Sequence, residues 1–306
     1  MRIGTCTRIC LILLVGLLSC AAWGQGSGNI TGQVTDASGA AIVGATITVT
    51  EVGTGQTRTV TSGRDGFYTM ITIKPSSYVL TADMTGFKKF VQMGVVLQAS
   101  QSLSIDIPLI VGSTSESVSV NAEAVQVDTT TPTLKEVVDS TRMVEIPLNG
   151  RNAASLTTLV AGAVISPSNN ADQGNAKTFP AAVTVSVNGA RENQTGYYLD
   201  GAPNIDIISN VNQPFPFPDA LQEFSVQTSN YAAEYGQDAG GVVSIVTKSG
   251  TNQFHGSAFE FVRNRVFNTA NYFGYVNGVK TVDPLKRNQF GGTFGGPIRK
   301  DKTFIF

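Results

Sequence analysis

The side chains that could do chemistry are few and scattered. His255 is the only histidine in the 306-residue chain. A metal site or a nucleophile–base–acid triad built on it needs partners at set geometry, and no spacing in the sequence marks any. Its surroundings, Phe254-His255-Gly256-Ser257, read as a strand or strand edge. Asp36, Asp65 and Asp83 offer the hard oxygens that calcium takes, but without the spacing of an EF-hand or a calcium repeat. Turn formation explains them better. Asp200 and Asp206, close in sequence to Tyr197 and Tyr198, form a set that could bind a ligand, but Asp200-Gly201 is a turn pair and a strand-end turn is the better reading. The glycine pairs Gly240-Gly241, Gly291-Gly292 and Gly295-Gly296 are followed by no Lys-Ser/Thr and open no βαβ unit, so they make no phosphate loop. Tight turns and close backbone approach account for them. The expectation is a protein that is not an enzyme, with no metal and no cofactor.

Bulk properties narrow the classes further. The formal net charge is -1 and the basic residues are dispersed, which gives no electrostatic case for nucleic acid. Arg2 and Arg8 flank a short basic region, Cys10 to Leu18 is almost wholly apolar, and Ala22-Trp23-Gly24 offers small residues for cleavage near Gln25. This is the pattern of an export signal over residues 1–24. The alternatives are an uncleaved interfacial helix and lipoprotein processing at Cys20. Cys6, Cys10 and Cys20 all fall inside the segment, so cleavage leaves a chain without thiols, disulfides or cysteine-ligated metal. Removing Arg2 and Arg8 from the 21 basic residues leaves 19 against 22 acidic ones.

The elements that position these residues are mainly β. Residues 25–111 show period-two runs, such as Thr46-Ile47-Thr48-Val49-Thr50 and Ser102-Leu103-Ser104-Ile105, which bury one face and solvate the other. Turn signals recur at Asp36-Ala37-Ser38-Gly39, Gly63-Arg64-Asp65-Gly66, Pro75-Ser76-Ser77 and Thr85-Gly86. Asp65-Gly66 suits a hairpin with both residues at positive φ. The spacing predicts a β-sandwich of about seven strands. Gly32-Gln33-Val34-Thr35-Asp36, Gly44 to Val49, Thr61 to Tyr68 and Gly86-Phe87 resemble the carboxypeptidase regulatory-like domain. That resemblance implies a transthyretin-like, carbohydrate-binding-like sandwich and no peptidase activity.

Residues 112–135 are rich in Ser, Thr, Val and Glu and read as a linker. Within them Glu116, Ser117, Val118, Ser119, Val120, Asn121 and Ala122 resemble a TonB box, a short segment taken up as an added strand by the energy-coupling protein TonB. A last strand of the sandwich and a plain linker fit the same alternation of Val118 and Val120. Residues 136–250 mix helical spacing at Leu156, Leu159 and Val160 with strand-like runs at 183–187, 196–201, 223–227 and 242–247, which predicts an α+β domain. Ser140 or Thr141 is the expected helix cap.

The motifs of this middle segment are the most specific in the chain. Ile146-Pro147-Leu148-Asn149-Gly150-Arg151-Asn152, Val187-Asn188-Gly189-Ala190-Arg191, Tyr198-Leu199-Asp200-Gly201 and Glu234-Tyr235-Gly236 through Val243 look like the plug domain of TonB-dependent outer-membrane receptors. Thr247 to Gly256 looks like its junction with a barrel, and a sandwich ahead of the plug resembles the Oar-like branch. The resemblance implies Arg151 and Arg191 as plug–barrel contacts that face acidic residues of the barrel wall, and Tyr197, Tyr198, Asp200 and Asp206 as the outer, ligand-facing group.

Residues 251–306 alternate aromatic with small or polar residues. Phe259 and Phe261 share a face in a run of about ten residues from Gln253 to Arg263, the length of a membrane-crossing strand. A polar, Asn-rich connection from Asn264 to Lys286 follows, then a second strand, a charged turn at 299–302 and a third strand. Phe290, Phe294, Phe304 and Phe306 all fall at even positions and are expected to lie against hydrocarbon, the pattern of a transmembrane β-barrel. Two or three strands cannot close a barrel, and open edges are not tolerated in lipid, so the chain is expected to be part of a longer protein. The reading is an outer-membrane receptor that binds a ligand outside and imports it by TonB-driven plug displacement. Its partners would be TonB, outer-membrane lipid and an unidentified ligand, with the sandwich hinting at a glycan; its N-terminal domain would lie in the periplasm. A secreted or periplasmic carbohydrate-binding or adhesion module is the alternative.

Overall fold

The computed structural model describes residues 27–113, 117–121, 133–165, 183–191, 193–208, 210–231, 233–236, 238–270, 272–282 and 284–306. The expected export signal, Glu116 and Ala122 lie outside them.

The first unit is a sandwich built of nine short strands rather than about seven. They are β1 (Gly28–Thr35), β2 (Thr46–Glu51), β3 (Thr57–Thr61), β4 (Phe67–Ile73), β5 (Ser76–Asp83), β6 (Lys89–Leu97), β7 (Ser102–Ser104), β8 (Ile107–Pro108) and β9 (Ser117–Asn121). One sheet has the order β4-β1-β7 with β8 also on β1, and the other β3-β2-β5-β6-β9. Strict alternation along β1 sends Ile30 and Val34 into the core, where Ile47, Leu80 and Leu103 meet them from both sheets. Gly32 takes a buried position because a Cβ there would sit 1.9 Å from the Ile105 carbonyl oxygen. The turn at Gly63–Gly66 is not a hairpin: it joins β3 and β4, which belong to different sheets, and only Gly66 has positive φ. It is a corner of the sandwich. Asp36 is a turn residue; its carboxylate accepts from the Ser38 and Ala40 amides and the Ser38 hydroxyl. These bonds, the Ser38 hydroxyl foremost, hold its pKa below the ordinary value.

The second unit is α+β. It comprises β10 (Leu134–Asp139), α1 (Ser140–Glu145), β11 (Ala163–Ile165), β12 (Val185–Val187), β13 (Thr195–Leu199), β14 (Ala202–Pro203), β15 (Leu221–Ser229) and β16 (Gly241–Thr247). Its main sheet runs β10-β15-β16-β13-β14, with β13 and β16 parallel and the other pairs antiparallel. In β16 all residues from Gly241 to Val246 are buried, because it is an inner strand covered on both faces. The cap of α1 is Asp139, not Ser140 or Thr141: its carboxylate accepts from the Thr141 and Arg142 amides. The helical spacing at Leu156–Val160 resolves as a 3-10 stretch over Ala153–Leu159, with Leu156 buried and Leu159 exposed. Met143, Leu156, Tyr197, Phe224 and Ile245 form the core.

The third unit is a sheet of β17 (His255–Asn264), β20 (Lys286–Arg299) and β21 (Thr303–Ile305). A small hairpin, β18 (Tyr275–Val276) and β19 (Val279–Lys280), lies in the connection from β17 to β20. The pairing of β17 with β20 matches odd with odd and even with even residues: Phe259 faces Gly291, Phe261 faces Gln289, and Phe294 faces Gly256. Phe259 and Phe261 are therefore on the opposite face from Phe290 and Phe294. Parity then changes across the turn, where Gly296 pairs with Ile305 and Pro297 with Phe304, with an irregularity between Pro297 and Arg299. Phe304 and Phe306 thus leave the face of Phe290 and Phe294, contrary to the even-position expectation, and the Phe306 ring stacks 6.1 Å from His255. The face of Phe290 and Phe294 also carries Val262, Ile298 and Ile305, all exposed.

Candidate functional site

The candidate site is the Phe259 and Phe261 face of this sheet, where it meets the α+β unit. The motif around Gly150 makes it. Gly150 and Arg151 both have positive φ, at 71° and 53°, which turns the chain sharply after α1 and aims the Gly150 carbonyl outward. That carbonyl accepts from Gln289 Nε2 at 2.7 Å. The Phe217 and Phe259 rings meet edge-on at 5.5 Å. Arg151 lies 4.3 Å under the Phe261 ring centroid. A cavity of about 430 Å³ opens beside these contacts, lined by residues 144–148, Gly150 and Arg151 on one side and by Phe261, Val262, Arg263, Arg287 and Gln289 on the other.

Arg151 is 5% exposed. Its guanidinium pairs with Asp219 at 2.9 Å and donates to the Val144 carbonyl at 3.0 Å, while Nε has no hydrogen-bond partner among the described residues. Its acid is thus a residue of its own unit, and its contact with the long strands is aromatic. Asp219 sits on a 3-10 turn, Pro218–Ala220, and its carbonyl accepts from Lys248 Nζ. Arg191 lies elsewhere, exposed in the turn after β12, where its amide donates to Gln194 Oε1 and its carbonyl accepts from the Gln194 amide.

The four residues expected to face a ligand are not assembled into one surface. Tyr197 is a core residue, 2% exposed; its hydroxyl donates to the Val183 carbonyl and burial raises its pKa. Tyr198 points to the other side of β13, with its hydroxyl on Asp238 at 2.9 Å and its ring edge-on to Tyr235. Burial raises the Asp238 pKa and the Tyr198 hydroxyl opposes it. Asp200 has φ of 50°, forms the β13–β14 turn with Gly201, and accepts from the Thr247 amide and hydroxyl. It braces the end of β16. Asp206 closes a separate turn through Asn210, beside the exposed Ile207 and Ile208.

A second interface ties the sandwich to the rest. Glu223 on β15 is buried, accepts from the Ala99 amide at 3.2 and 3.1 Å, and pairs with Lys135 at 3.6 Å. Lys135 also donates to the Ala99 carbonyl. Burial pushes the Glu223 pKa up, against the pull of Lys135 and the Ala99 amide. Ser100 and Tyr235 exchange a hydroxyl–hydroxyl bond at 2.9 Å. On the same flank Lys74 donates to Ser249, and Asn252 bridges the Thr54 carbonyl and Asp301 in the β20–β21 turn. Lys135, Phe217, Asp219 and Glu223 were not among the residues expected at a site. None belongs to a spaced motif; the signal that existed was a Pro-Phe-Pro-Phe-Pro-Asp run, whose rigid backbone presents Phe217 and Asp219. Among the described residues no group of three or more His, Cys, Asp or Glu is placed to hold a metal.

The carboxypeptidase regulatory-like domain family matches residues 29–110, and an outer membrane beta barrel domain family matches residues 246–306. The TonB-dependent transporter Oar of Myxococcus xanthus is 26% identical over 302 residues, which is 97% of this chain and 28% of that protein. The chain thus spans less than a third of the length of this relative. Among solved structures, the siderophore receptor PirA from Acinetobacter baumannii aligns with 55% of this chain and 22% of its own, at 21% identity and a TM-score of 0.39. Hydroxyquinol 1,2-dioxygenase from Pseudomonas putida aligns with 30% of this chain and 58% of its own, at 12% identity and a TM-score of 0.25. Along nearly its whole length, the chain resembles an Oar-like TonB-dependent outer-membrane receptor, with a regulatory-like sandwich first and outer-membrane barrel strands last.

Proposed function

We propose that the chain is the gated portion of a TonB-dependent outer-membrane receptor. The sandwich lies in the periplasm, the α+β unit is the plug, and β17, β20 and β21 begin the barrel wall. A ligand binds at the outer face, and TonB, pulling on the segment 116–122, displaces the plug and admits it. The observation that carries this reading is the two-sided chemistry of the last sheet. One face packs on the α+β unit through Phe259, Phe261 and Gln289, while the other exposes Phe290, Phe294 and Ile298 to whatever surrounds it. A wall strand between plug and lipid needs these two faces. The short 299–302 turn and the sandwich share one flank through Asn252, and the long connection carrying β18 and β19 lies at the other end of β17, which supports the assigned orientation.

The test is labelling of single cysteines with a membrane-impermeant maleimide in cells expressing the whole gene. Val279→Cys is expected to react in intact cells, and Lys302→Cys only after the outer membrane is permeabilised. Reaction of Lys302→Cys in intact cells, or recovery of the protein in the soluble periplasmic fraction, would sink the proposal.

A further inference from the structure

Three arginines converge on the cavity between the α+β unit and the long strands. Arg263 on β17 and Arg287 on β20 are directly opposite each other in the register, on the face that carries Phe259, Phe261 and Gln289. That face is turned away from Phe290 and Phe294, so neither arginine is placed for a lipid head group. Arg287 reaches across to the α+β unit: a Cβ at residue 150 would come within 2.8 Å of its Nη1, a space that Gly150 leaves open. Arg151 is the third. Against three guanidiniums the lining carries one carboxylate, Glu145, while Asp219 behind it is engaged by Arg151 at 2.9 Å. Like charges directly opposite on paired strands destabilise the pair. Here that arrangement borders a cavity whose other walls, Ile146, Pro147, Leu148 and Phe261, are apolar. The volume of about 430 Å³ falls within the range of small-molecule sites.

The charge along the chain has the same bias. The connection from Arg263 to Arg287 holds five basic residues and one acidic residue, a net +4, whereas the whole chain carries -1, which leaves -5 for everything outside it. A basic rim beside a cavity raises the local concentration of anions. We propose that the cavity binds an organic anion, with a carboxylate or phosphate head between Arg263 and Arg287 and an apolar body against Ile146, Leu148 and Phe261. Planar guanidinium forks take such oxyanions in bidentate fashion. Seated there, the anion bridges the wall strands and the segment 146–150, and adds to the contact that Gln289 makes with Gly150. The proposal rests on the reading of β17 and β20 as barrel wall only for the anion's route from the outer face; the site itself is made by residues of two units already in contact.

The test is calorimetric titration of the whole receptor, in an uncharged detergent, with phenylacetate, phenyl phosphate and the uncharged phenylethanol. At least one anion is expected to bind, and phenylethanol to bind at least about tenfold more weakly, the loss of one hydrogen bond to a charged group. The tighter anion identifies the head group. Arg287→Gln and Arg263→Gln are each expected to weaken the anion about tenfold or more and to leave phenylethanol unchanged. Arg287→Lys, which keeps the charge and loses the fork, is expected to fall between. Lys286 lies on the opposite face of β20, so Lys286→Gln is expected to change anion binding by less than about twofold, as for a screened surface charge. Three results would each overturn the proposal. They are equal binding of phenylacetate and phenylethanol, binding of neither anion, and equal losses from Lys286→Gln and Arg287→Gln, which mark a diffuse charge effect. Reaction of Lys302→Cys in intact cells alongside intact anion binding would remove the receptor reading and leave the site.

Discussion

Replacing Arg151 by Met would be the most informative single change. The substitution keeps an unbranched stem of similar reach and removes the guanidinium. Three things are lost: the 2.9 Å pair with Asp219, the bond to the Val144 carbonyl, and the cation over Phe261. The side chains of Arg151 and Asp219 are 4% and 7% exposed, so Asp219 is left charged and out of water. Removing one member of such a pair costs about 3–5 kcal/mol, most of it the stranded partner rather than the lost attraction. Positive φ at position 151 is equally awkward for Arg and Met, so backbone strain cancels in the comparison. The assay is native-state hydrogen exchange of β15 and β16 amides in detergent, with a double-mutant cycle against Asp219→Asn. The double variant should recover a large share of the loss, because the stranded charge is gone. Arg151→Lys should fall between, since an ammonium keeps the charge but not the fork. A cost for Arg151→Met below about 1 kcal/mol, the range of exposed pairs, would show that the Arg151–Asp219 pair is not buried. It would mean that water reaches Asp219 and that the turn at Gly150 is not packed against β17 and β20.

Two further outcomes follow from the same geometry. Glu223 has a folded pKa above its ordinary 4.5, so the folded form binds this proton more tightly than the unfolded one. Its stabilising contribution is full below the unfolded value and is lost as pH rises through the raised one. Lys135→Met removes the opposing charge. It should therefore destabilise the chain more at neutral pH than near pH 4.5 and speed exchange of the Ala99 amide; a pH-independent effect would count against a buried carboxylate. Tryptophans introduced into the whole receptor can be read by difference against the unsubstituted protein. In bilayers containing brominated acyl chains, Phe290→Trp should be quenched and Phe259→Trp shielded. The reverse order would invert the faces assigned to β17 and β20.

Local pattern along the chain made part of this fold legible in advance. Period-two alternation marked the sandwich and the last strands, and the Asp200-Gly201 turn was legible because few residue pairs accept positive φ. The segment 117–121 could be read only as extended, since a coupling box and an edge strand have the same alternation. Tertiary structure decided the rest. Gly63–Gly66 became a corner because β3 and β4 belong to different sheets, which no turn residue encodes. Phe304 and Phe306 changed face because parity across a strand pair depends on register, and an irregularity between Pro297 and Arg299 is invisible in an alternating run. Tyr197 and Tyr198, adjacent in sequence, went to opposite sides of β13, one into the core and one onto Asp238. Arg151 found Asp219 and Lys135 found Glu223 over separations that the chain closes only on folding. Composition and spacing report a residue's neighbours along the backbone, whereas burial and ion pairing depend on which strands come to lie together.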